Sequence, residues 1–543
     1  MNETNELAIL DTMPATKREV NMLEVLEKTR EVNMITINKQ KVPDETSVAA
    51  LNIEATRNAL KECFPVANSG YLDKPYIYNQ ESGIWEGVAH KAEAQADVVN
   101  YLTDQTKTLL AMLKGSTTIP NKLSVNISNI ANEYVNSTAT KVGADLLEMN
   151  TPELIAFKNG LYNFKTNELR PLVKEDMQTM SLPYPLIEAT LENEHVKYWV
   201  DFIELLTGES TELLLKYIGF LFYRSQKTIQ TIMIFINGKT ANGRNGKGKL
   251  IEFLRLLLGE GANANYTALS IGDLADSNKD FVKVNLVNKM ANFDADSDSR
   301  FLASTNTLKL LSTNDPITAN VKGAKHVTFE NYARMIVATN KLPNYRDSSM
   351  GFSDRLVIVP FIRFFGLNNG VKSEDVTNYL DPGKRFHDSE KAKHSHPEAL
   401  GAFVYYCIQR FREMMNEGLS ANPFRDLMTE EALNILNNYE YNNDPIMQFL
   451  NESELTITKD REDFILRDGL FDLFKTENSD SKLSEAGFYN ELESRGVIVK
   501  EGKAQRKCRK QVDGVSVSIL RGIKSERQTA KKALAEKEMN NIF

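Results

Sequence analysis

Cysteine, long apolar runs and repeated units are all scarce or absent, and each absence excludes a class of protein. The 543 residues contain only Cys63, Cys407 and Cys508, which lie far apart and form no C-x-x-C pair. This excludes a disulfide framework or a zinc ribbon and suits a reducing cytoplasm. No apolar stretch approaches the ~20 residues that span a bilayer, and the N-terminus lacks the pattern of a secretory signal. We therefore expect a cytoplasmic protein without a membrane partner.

The overall composition is that of a globular protein with several domains. Hydrophobic residues make up 42% of the chain and charged residues 25%, which excludes collagen-like and largely disordered classes. At roughly 100–200 residues per domain, the length predicts three or four domains. The net charge of −8 argues against a protein coated with nucleic acid on all sides. A local basic groove remains compatible with it, because only the charges that face the phosphates release counterions.

Local patterns predict an α/β region in the middle of the chain. Hairpins are predicted at 76–87 and around Asn159-Gly160, and helices over 90–113 and within 198–224. Between 228 and 365, apolar segments alternate with helical or loop segments, which is typical of a parallel sheet covered on both faces. The predicted strands of this sheet are 231–237, 284–294, 333–340 and 355–365.

A glycine-rich loop between a strand and a helix is the strongest functional signal. The strand ends at Asn237, and an amphipathic helix begins at Lys247. In such a loop the backbone N–H groups converge on an anion and the lysine reaches the terminal phosphates. The predicted nucleotide-binding residues are Ala241, Asn242, Gly243, Arg244, Asn245, Gly246, Lys247 and Gly248. The match is imperfect, since Ala241 replaces the first glycine of the usual pattern and Gly248 replaces the magnesium-binding hydroxyl; a surface glycine turn is the alternative.

Polar residues after two later strands extend this pattern. Asp294 and Asp296 follow the second predicted strand, where carboxylates would hold magnesium and polarise water. A solvated acidic loop is the alternative interpretation of the pair. Asn340 ends the third strand, where it could sense a γ-phosphate. The three elements occur in the order that an ATPase sheet requires, so we predict that ATP and Mg²⁺ bind here.

A basic cluster near the C-terminus predicts a nucleic-acid contact. A helix over 483–497 precedes Arg506, Lys507, Arg509 and Lys510, and Asp513-Gly514 predicts a tight hairpin turn. A helix followed by a basic hairpin is typical of a winged helix, with the wing on phosphates. A solvated basic face is the alternative.

Four segments between about Tyr76 and Phe365 form a series of motifs in order. They are FKNGLYNFKTNELRPL with FIELLTGES and LLKYIGFLFYR; ANGRNGKGKL; LKLLSTNDPITANVKG; and MIVATNKLP followed by FSDRLVIVPF. In these segments the chain resembles the phage/plasmid primase–helicase family. This family is related to the poxvirus replicative NTPase and consists of superfamily-three helicases of the AAA+ class.

The resemblance implies a catalytic set of Lys247, Asp294, Asp296, Asn340 and Arg355. Asp294 and Asp296 would be the acidic pair that holds the metal, Asn340 the sensor, and Arg355 an arginine acting on the neighbouring subunit of a ring. Asp354 stands where the family often has a second arginine. A structural ion pair is the alternative role for Arg355.

The resemblance also implies a hairpin over 315–329 that projects into the channel of the ring. Lys322, Lys325 and His326 would contact single-stranded DNA there, and a solvated β-turn is the alternative. Asn320 replaces an arginine of the family's segment. Only about 70 residues precede the recognisable region, so we expect no primase activity.

The fold class expected from these signals is α/β. We expect an AAA+ superfamily-three helicase core with a mixed α+β N-terminal domain and a C-terminal winged-helix-like domain. The predicted parts are an arm at 1–65 with a helix near 17–30, a pre-motor domain at 66–225, the ATPase domain at 226–367, a helical lid or linker at 368–440, the winged-helix-like domain at 441–523, and a charged tail at 524–543.

The function expected is that of an ATP-dependent, ring-forming replicative DNA helicase of a phage or mobile element in a bacterial host. Its partners would be single-stranded and forked or origin DNA, further copies of itself in a hexamer, and a separate primase or polymerase. The first alternative is an origin-binding initiator that binds ATP with little or no turnover. The second is a packaging or maturation AAA+ protein that acts on another protein.

Overall fold

The architecture is taken from a computed structural model that describes most of the chain. The described residues are 20–69, 74–138, 152–239, 243–261, 264–295, 297, 305–320, 326–343, 351–365, 388–418, 422–453, 455–460, 462–467, 469–478, 483–498, 509–512 and 515–525. Among these residues, no helix is both long enough and apolar enough to cross a membrane.

The N-terminal part is a helical unit with two small antiparallel sheets. Its elements are α1 (Met22–Thr29), β1 (Asn33–Ile37), β2 (Gln40–Asp44), α2 (Ile53–Cys63), β3 (Val66–Ser69), β4 (Lys74–Asn79), β5 (Ile84–Gly87), α3 (Lys91–Lys114) and α4 (Asn121–Thr138). Strands β4 and β5 form the hairpin predicted at 76–87. The described part of the predicted arm is not separate, because Met22 and Leu26 of α1 are buried in the same core as Leu102 and Ile130. Their i,i+4 spacing gives α1 one apolar face that packs on α3.

A meander and two helices precede the large sheet. The elements are β6 (Leu154–Phe157), β7 (Gly160–Asn163), β8 (Glu168–Arg170), α5 (Glu194–Thr207) and α6 (Thr211–Leu221). The hairpin predicted around Asn159-Gly160 is confirmed, with Phe157 paired to Gly160. Gly160 has φ +148°, and a Cβ there would lie 2.3 Å from the carbonyl oxygen of Arg170, so only glycine suits this close strand approach.

The large sheet has five parallel strands in the described part of the chain. The elements of this region are β9 (Ile232–Asn237), α7 (Lys247–Leu257), β10 (Tyr266–Thr267), α8 (Ile271–Ala275), β11 (Ala291–Asp294), α9 (Asn306–Leu311), β12 (Pro316–Ala319), β13 (Val327–Glu330), β14 (Arg334–Ala338) and β15 (Leu356–Phe361). The strand order is β10-β11-β14-β9-β15, with β9 and β14 adjacent near the centre. The strand predicted over 284–294 is shorter than expected, because 277–286 form 3-10 turns and only 291–294 pair.

The remaining helices complete the core and lead to a C-terminal group. They are α10 (Asp388–Lys393), α11 (Pro397–Asn416), α12 (Pro423–Asp426) and α13 (Glu430–Asn443), followed by α14 (Pro445–Glu452), β16 (Leu455–Ile457), β17 (Phe464–Leu466), α15 (Leu470–Glu477), α16 (Glu485–Ser494), β18 (Arg509–Val512), β19 (Val515–Arg521) and β20 (Ile523–Ser525). Phe449, Phe474 and Phe488 centre a separate C-terminal core. Its main sheet is antiparallel, in the order β17-β19-β18.

One hydrophobic cluster joins the meander, the helices α5 and α6, the large sheet, α11 and α13. Side chains on both sides of the predicted boundary at residue 225 therefore share a core. Arg334 of β14 lies fully buried in it and stacks 3.8 Å above the ring of Phe220. Its guanidinium donates to the carbonyl oxygens of Tyr332, Tyr223 and Ser225, and burial lowers its pKa to about 9. These bonds tie the sheet to the segment that follows α6.

Candidate phosphate-binding site

The glycine-rich loop leaves the sheet at its carboxyl edge and enters a helix. The backbone N–H of Gly238 still donates to Phe361 of β15 at 3.0 Å, so the loop starts at residue 239. Helix α7 begins at Lys247, with Gly246 as its N-cap at φ 89°, and Gly243 has φ 77°. These glycines turn the backbone where other residues would be strained. Ala241 and Asn242 lie outside the described residues.

Lys247 lies at the centre of a polar cluster where β9 and β14 end. Its Nζ donates to Asn237 Oδ1 at 2.5 Å and to Asn340 Oδ1 at 2.9 Å. Asn245 donates from Nδ2 to the same Asn237 oxygen at 2.8 Å. Lys247 is only 9% exposed, whereas Asn340 is exposed. The structure thus brings together three predicted residues, with the Lys247 ammonium at the N-terminus of α7. Asn245 and Lys247 come from the loop, and Asn340 comes from the third predicted strand.

Asn237 was not among the predicted site residues, although the sequence carries a signal for it. A polar residue directly after five buried strand residues, and directly before a glycine-rich loop, marks the edge of the sheet. Its oxygen accepts from both Asn245 and Lys247 and so holds the lysine in place.

The other two described loop residues, Arg244 and Gly248, have exposed side-chain positions. The carbonyl oxygen of Arg244 accepts from Phe365 N at 2.8 Å, which fixes the loop against the chain after β15. A Cβ built at Gly248 meets nothing within 4 Å, so a side chain has room there.

Asp294 lies deeper in the sheet than the lysine cluster. Asp294 is in register with Val337, which lies three residues before Asn340. Val337 in turn pairs with Ile234, which lies three residues before Asn237. At 3.3 Å per residue this is a step of ~10 Å along the strands. Asp294 is buried, and its Oδ2 accepts from the backbone N–H of Ile271 at 2.9 Å. This contact is structural, and the metal-binding role of Asp294 stays a prediction; Asp296 lies outside the described residues.

Within the described ranges, no three histidine, cysteine, aspartate or glutamate side chains are grouped so as to hold an ion. Mg²⁺ in ATP sites is held by one or two carboxylates together with phosphates and waters, so it needs no dedicated cage. Asp294 is the described acidic residue of the predicted pair.

Arg355 lies at the opposite edge of the sheet from the lysine cluster. It directly precedes β15, whose first residue pairs with Ile232. Its Nη1 donates to the carbonyl oxygen of Gly351, and its Nη2 donates to Gln230 Oε1 at 2.7 Å. Burial lowers its pKa, although the carboxylates of Asp354 and Asp315 oppose the shift. The six residues of β9 separate Arg355 from the glycine-rich loop of its own chain by ~17–20 Å, so Arg355 does not act on that loop.

Strands β12 and β13 pair as an antiparallel hairpin where one was expected. Pro316 pairs with Glu330 and Ala319 with Val327. Lys322 and Lys325 lie outside the described residues, and His326 is exposed next to the described end of β13. A hairpin is present, and its contact with DNA stays a prediction.

The basic C-terminal cluster lies only partly within the described residues. Arg509 and Lys510 belong to β18, which pairs with β19 on either side of the predicted Asp513-Gly514 turn. Arg509 is exposed, and the Lys510 ammonium lies 4.2 Å from the centre of the Phe464 ring. Arg506, Lys507, Asp513 and Gly514 are outside the described residues.

One contact with the glycine-rich loop has no signal in the sequence. Glu431 of α13 accepts from the backbone N–H of Lys239 at 2.6 Å. The two residues are 192 positions apart, and nothing in the local pattern around Glu431 distinguishes it from other exposed helix positions.

Two family models match parts of the chain. Residues 68–204 match the family described as "D5 N terminal like", and residues 239–355 match one described as "Family of unknown function (DUF5906)". The second range contains most of the candidate site and Arg355. Neither range reaches half of the chain.

One relative by sequence and two solved structures are distantly similar to the chain. A protein of Acanthamoeba polyphaga mimivirus named "Putative helicase L207/L206" is 23% identical over 282 residues, which is 49% of this chain. The chain spans 27% of the length of that relative. Two solved structures of the NrS-1 C-terminal region, both apo, have TM-scores of 0.42 at 14% and 13% identity, and cover 86% of this chain and 98% of theirs. The D5-like match and the mimivirus relative support, at a coarse level, the resemblance to a viral and phage helicase-like family.

Proposed function

We propose that the protein is an ATP-driven, ring-forming DNA helicase that serves the replication of a phage or mobile element. The observation that carries this proposal is the cluster of Lys247, Asn237 and Asn340 at the carboxyl edge of a parallel sheet. A lysine at the first position of a helix, after a glycine-rich loop, is suited to bind the terminal phosphates of a nucleotide. The mimivirus relative carries a helicase name, which supports the same interpretation.

In this proposal the two asparagines hold the lysine until ATP arrives. The polyphosphate would take over the Nζ hydrogen bonds, since a charge-assisted bond to phosphate is stronger than one to a neutral amide. Asn340, released from Lys247, could then turn toward the γ-phosphate or the attacking water. Asn237 would keep Asn245, and with it the loop, in place.

Magnesium would come with the nucleotide, neutralise charge on the transferring phosphate and be held by phosphate oxygens and the acidic pair. The residues Asp294 and Asp296 carry the right donor chemistry for this ion. The loop has no hydroxyl at Gly248 to bind magnesium. This missing ligand is the specific feature that favours the alternative function, an origin-binding initiator that hydrolyses ATP weakly.

The position of Arg355 supports assembly into a ring. An arginine at the far edge of the sheet could complete only the site of a neighbouring copy, so turnover would require assembly, with a hexamer as the expected size. In such a ring the hairpins β12–β13 would face the channel and hold one DNA strand.

Steady-state ATP hydrolysis with and without single-stranded DNA tests the proposal. We expect turnover that rises at least several-fold with DNA, in a protein that light scattering finds assembled. Tight ATP binding with no turnover under either condition would favour the initiator instead. ATP turnover that does not change with DNA, in a protein that does not bind DNA, would favour the packaging or maturation AAA+ protein that acts on another protein.

Gly248→Thr should raise turnover several-fold, because the hydroxyl can join the magnesium ligands and the position has free space. Gly248→Val is the matched control, since valine has the same shape without the hydroxyl. Both variants should bind ATP as the wild type does. Equal turnover in the two variants would contradict a role for the missing hydroxyl.

Replacing Arg509 and Lys510 together with alanine should weaken duplex binding and leave ATP turnover unchanged. We expect the slope of log K against log salt to flatten by about 0.9 for each phosphate that the variant no longer neutralises. Fluorescence anisotropy of labelled duplex across a salt series measures this slope, with Lys524→Ala on β20 as the control. An unchanged slope would remove β18 from the proposed DNA surface.

A further inference from the structure

Helix α13 contacts the glycine-rich loop of residues 239–246, called the phosphate loop below, at the point where the loop leaves the sheet. Glu431 Oε1 accepts from Lys239 N, and a Cβ at Gly238 would lie 3.1 Å from the same oxygen. The carboxylate therefore fits against residues 238 and 239, directly after the last backbone pairing of the strand. Glu431 thus fixes the start of the loop from outside the sheet.

The same helix contacts the segment that follows Asn340. Tyr439 is 7% exposed, and its hydroxyl donates to the carbonyl oxygen of Pro343 at 2.5 Å. The helix also packs on β15. The loop that carries Lys247 and the segment that follows its partner Asn340 are therefore both bonded to one helix.

The other end of α13 is bonded to the C-terminal group. Asp444 caps α14 by accepting from Ile446 N and Met447 N, each at 3.1 Å. Its other oxygen, Oδ2, accepts from Arg495, which also bonds Glu491 of α16 at 3.2 Å. A displacement of α13 along its axis would therefore act on the helices that precede the basic strand β18.

A fourth link connects α13 to the segment of Arg355. Arg425 donates from Nη1 to Asp354 at 3.3 Å and from Nη2 to Glu440 of α13 at 3.2 Å. The helix is thus joined by side-chain bonds to the phosphate loop, the segment after Asn340, the residue before Arg355 and the C-terminal group.

We propose that Glu431 is a positioning residue for the phosphate loop and that α13 transmits the state of this loop to the C-terminal group. The proposal rests on the proposed function for the nucleotide and the DNA. The contact between Glu431 and Lys239 does not depend on that function. The physical basis of the proposal is that α13 is a single packed helix, bonded to the phosphate loop near its first residue and to the C-terminal group just after its last. A change in position at one end of the helix therefore changes the position favoured at the other end. The acceptor oxygen of Glu431, rather than its charge, does the positioning.

Three variants of the full-length chain test the positioning role. Glu431→Ala removes the acceptor, Glu431→Gln keeps an acceptor oxygen without charge, and Glu430→Ala is the matched control at the exposed neighbouring position. Without nucleotide, amide hydrogen exchange at residue 239 should be at least tenfold faster in Glu431→Ala alone, whereas the Gly238 amide, which donates to Phe361, should exchange at the same rate in all variants. With ATP, the same variant should show a KM about tenfold higher at a kcat within twofold of wild type. Equal exchange and KM in Glu431→Ala and Glu430→Ala, or a Gln variant that behaves like Ala, would overturn this role.

Transmission is tested by the effect of duplex DNA on the KM for ATP. Wild type should show a shift of threefold or more. Arg495→Ala, which removes the bond to Asp444, should lose the shift while keeping the basal KM and the slow exchange at residue 239. A wild type without a shift, or a shift that persists in Arg495→Ala, would overturn transmission. If the wild type neither binds nor hydrolyses ATP, the proposed function fails, whereas the exchange experiment still decides whether Glu431 holds the loop.

Discussion

Replacing Lys247 with alanine should lower ATP turnover by at least ~100-fold, the loss typical when a preorganised donor to developing charge is removed. The ammonium is the cation placed at the mouth of α7, between Asn237 and Asn340, and no other described side chain bonds both asparagines. Steady-state phosphate release measures the effect, and titration with a fluorescent ATP analogue distinguishes weaker nucleotide binding from slower chemistry.

The fold should survive this substitution. Asn340 is exposed, so water can replace the lysine as its partner. We expect the midpoint of thermal unfolding to move by no more than about 2–4 °C, the shift that ~1 kcal/mol produces in a domain of this size. Lys249→Ala is the matched control, because Lys249 lies in the same first helical turn but pairs with Glu252 at 2.9 Å. Turnover in Lys247→Ala within a few-fold of this control would contradict the phosphate-binding role of the loop.

Arg355→Ala should bind ATP normally yet lose about 10³-fold in turnover, as expected for an arginine that completes a neighbouring site. Its place at the far edge of the sheet from its own loop gives the reason. Mixed with Lys247→Ala, it should recover part of the activity, because mixed rings contain interfaces with an intact lysine and an intact arginine. Phosphate release across a series of mixing ratios measures the recovery.

The bonds of Arg355 within its own chain supply the control. If the arginine only holds its segment through Gln230 and Gly351, then Gln230→Ala should lose activity and thermal stability to a similar degree. A trans role predicts that Gln230→Ala keeps most of its turnover, since it removes a partner and leaves the guanidinium. Mixtures that stay inactive despite demonstrated subunit exchange would count against the trans role.

Local sequence signals predicted the elements that form the site. The strand ending at Asn237, the glycines at 243 and 246 and the helix from Lys247 all follow from short-range rules of periodicity, positive φ and helix starts. The hairpin at Asn159-Gly160 was predictable for the same reason. Each of these features depends on residues that are neighbours in the chain.

Features that depend on distant residues were not predictable. The order β10-β11-β14-β9-β15 places β14 between β9 and β11, and parallel pairing leaves no local trace of which strands are adjacent. Glu431 reaches Lys239 across 192 positions. The apolar run that begins at residue 284 was extended too far as a strand, because a short apolar run does not distinguish a strand from a buried 3-10 turn, here one that buries Leu286.

The N-terminal segment shows how composition misled the prediction. Residues 1–45 are polar overall, so an arm was expected, yet the spacing of Met22 and Leu26 was sufficient to pack α1 into the core of α3 and α4. Pattern outweighs average polarity here, because burial needs only one apolar face.

Unwinding of a forked duplex by the wild-type protein is the decisive test of the helicase function. We expect strand displacement that requires ATP and Mg²⁺, stops with a non-hydrolysable analogue and is absent in Lys247→Ala. ATP hydrolysis by an assembled protein that binds the fork but separates no strands, at any ATP concentration, would contradict the account.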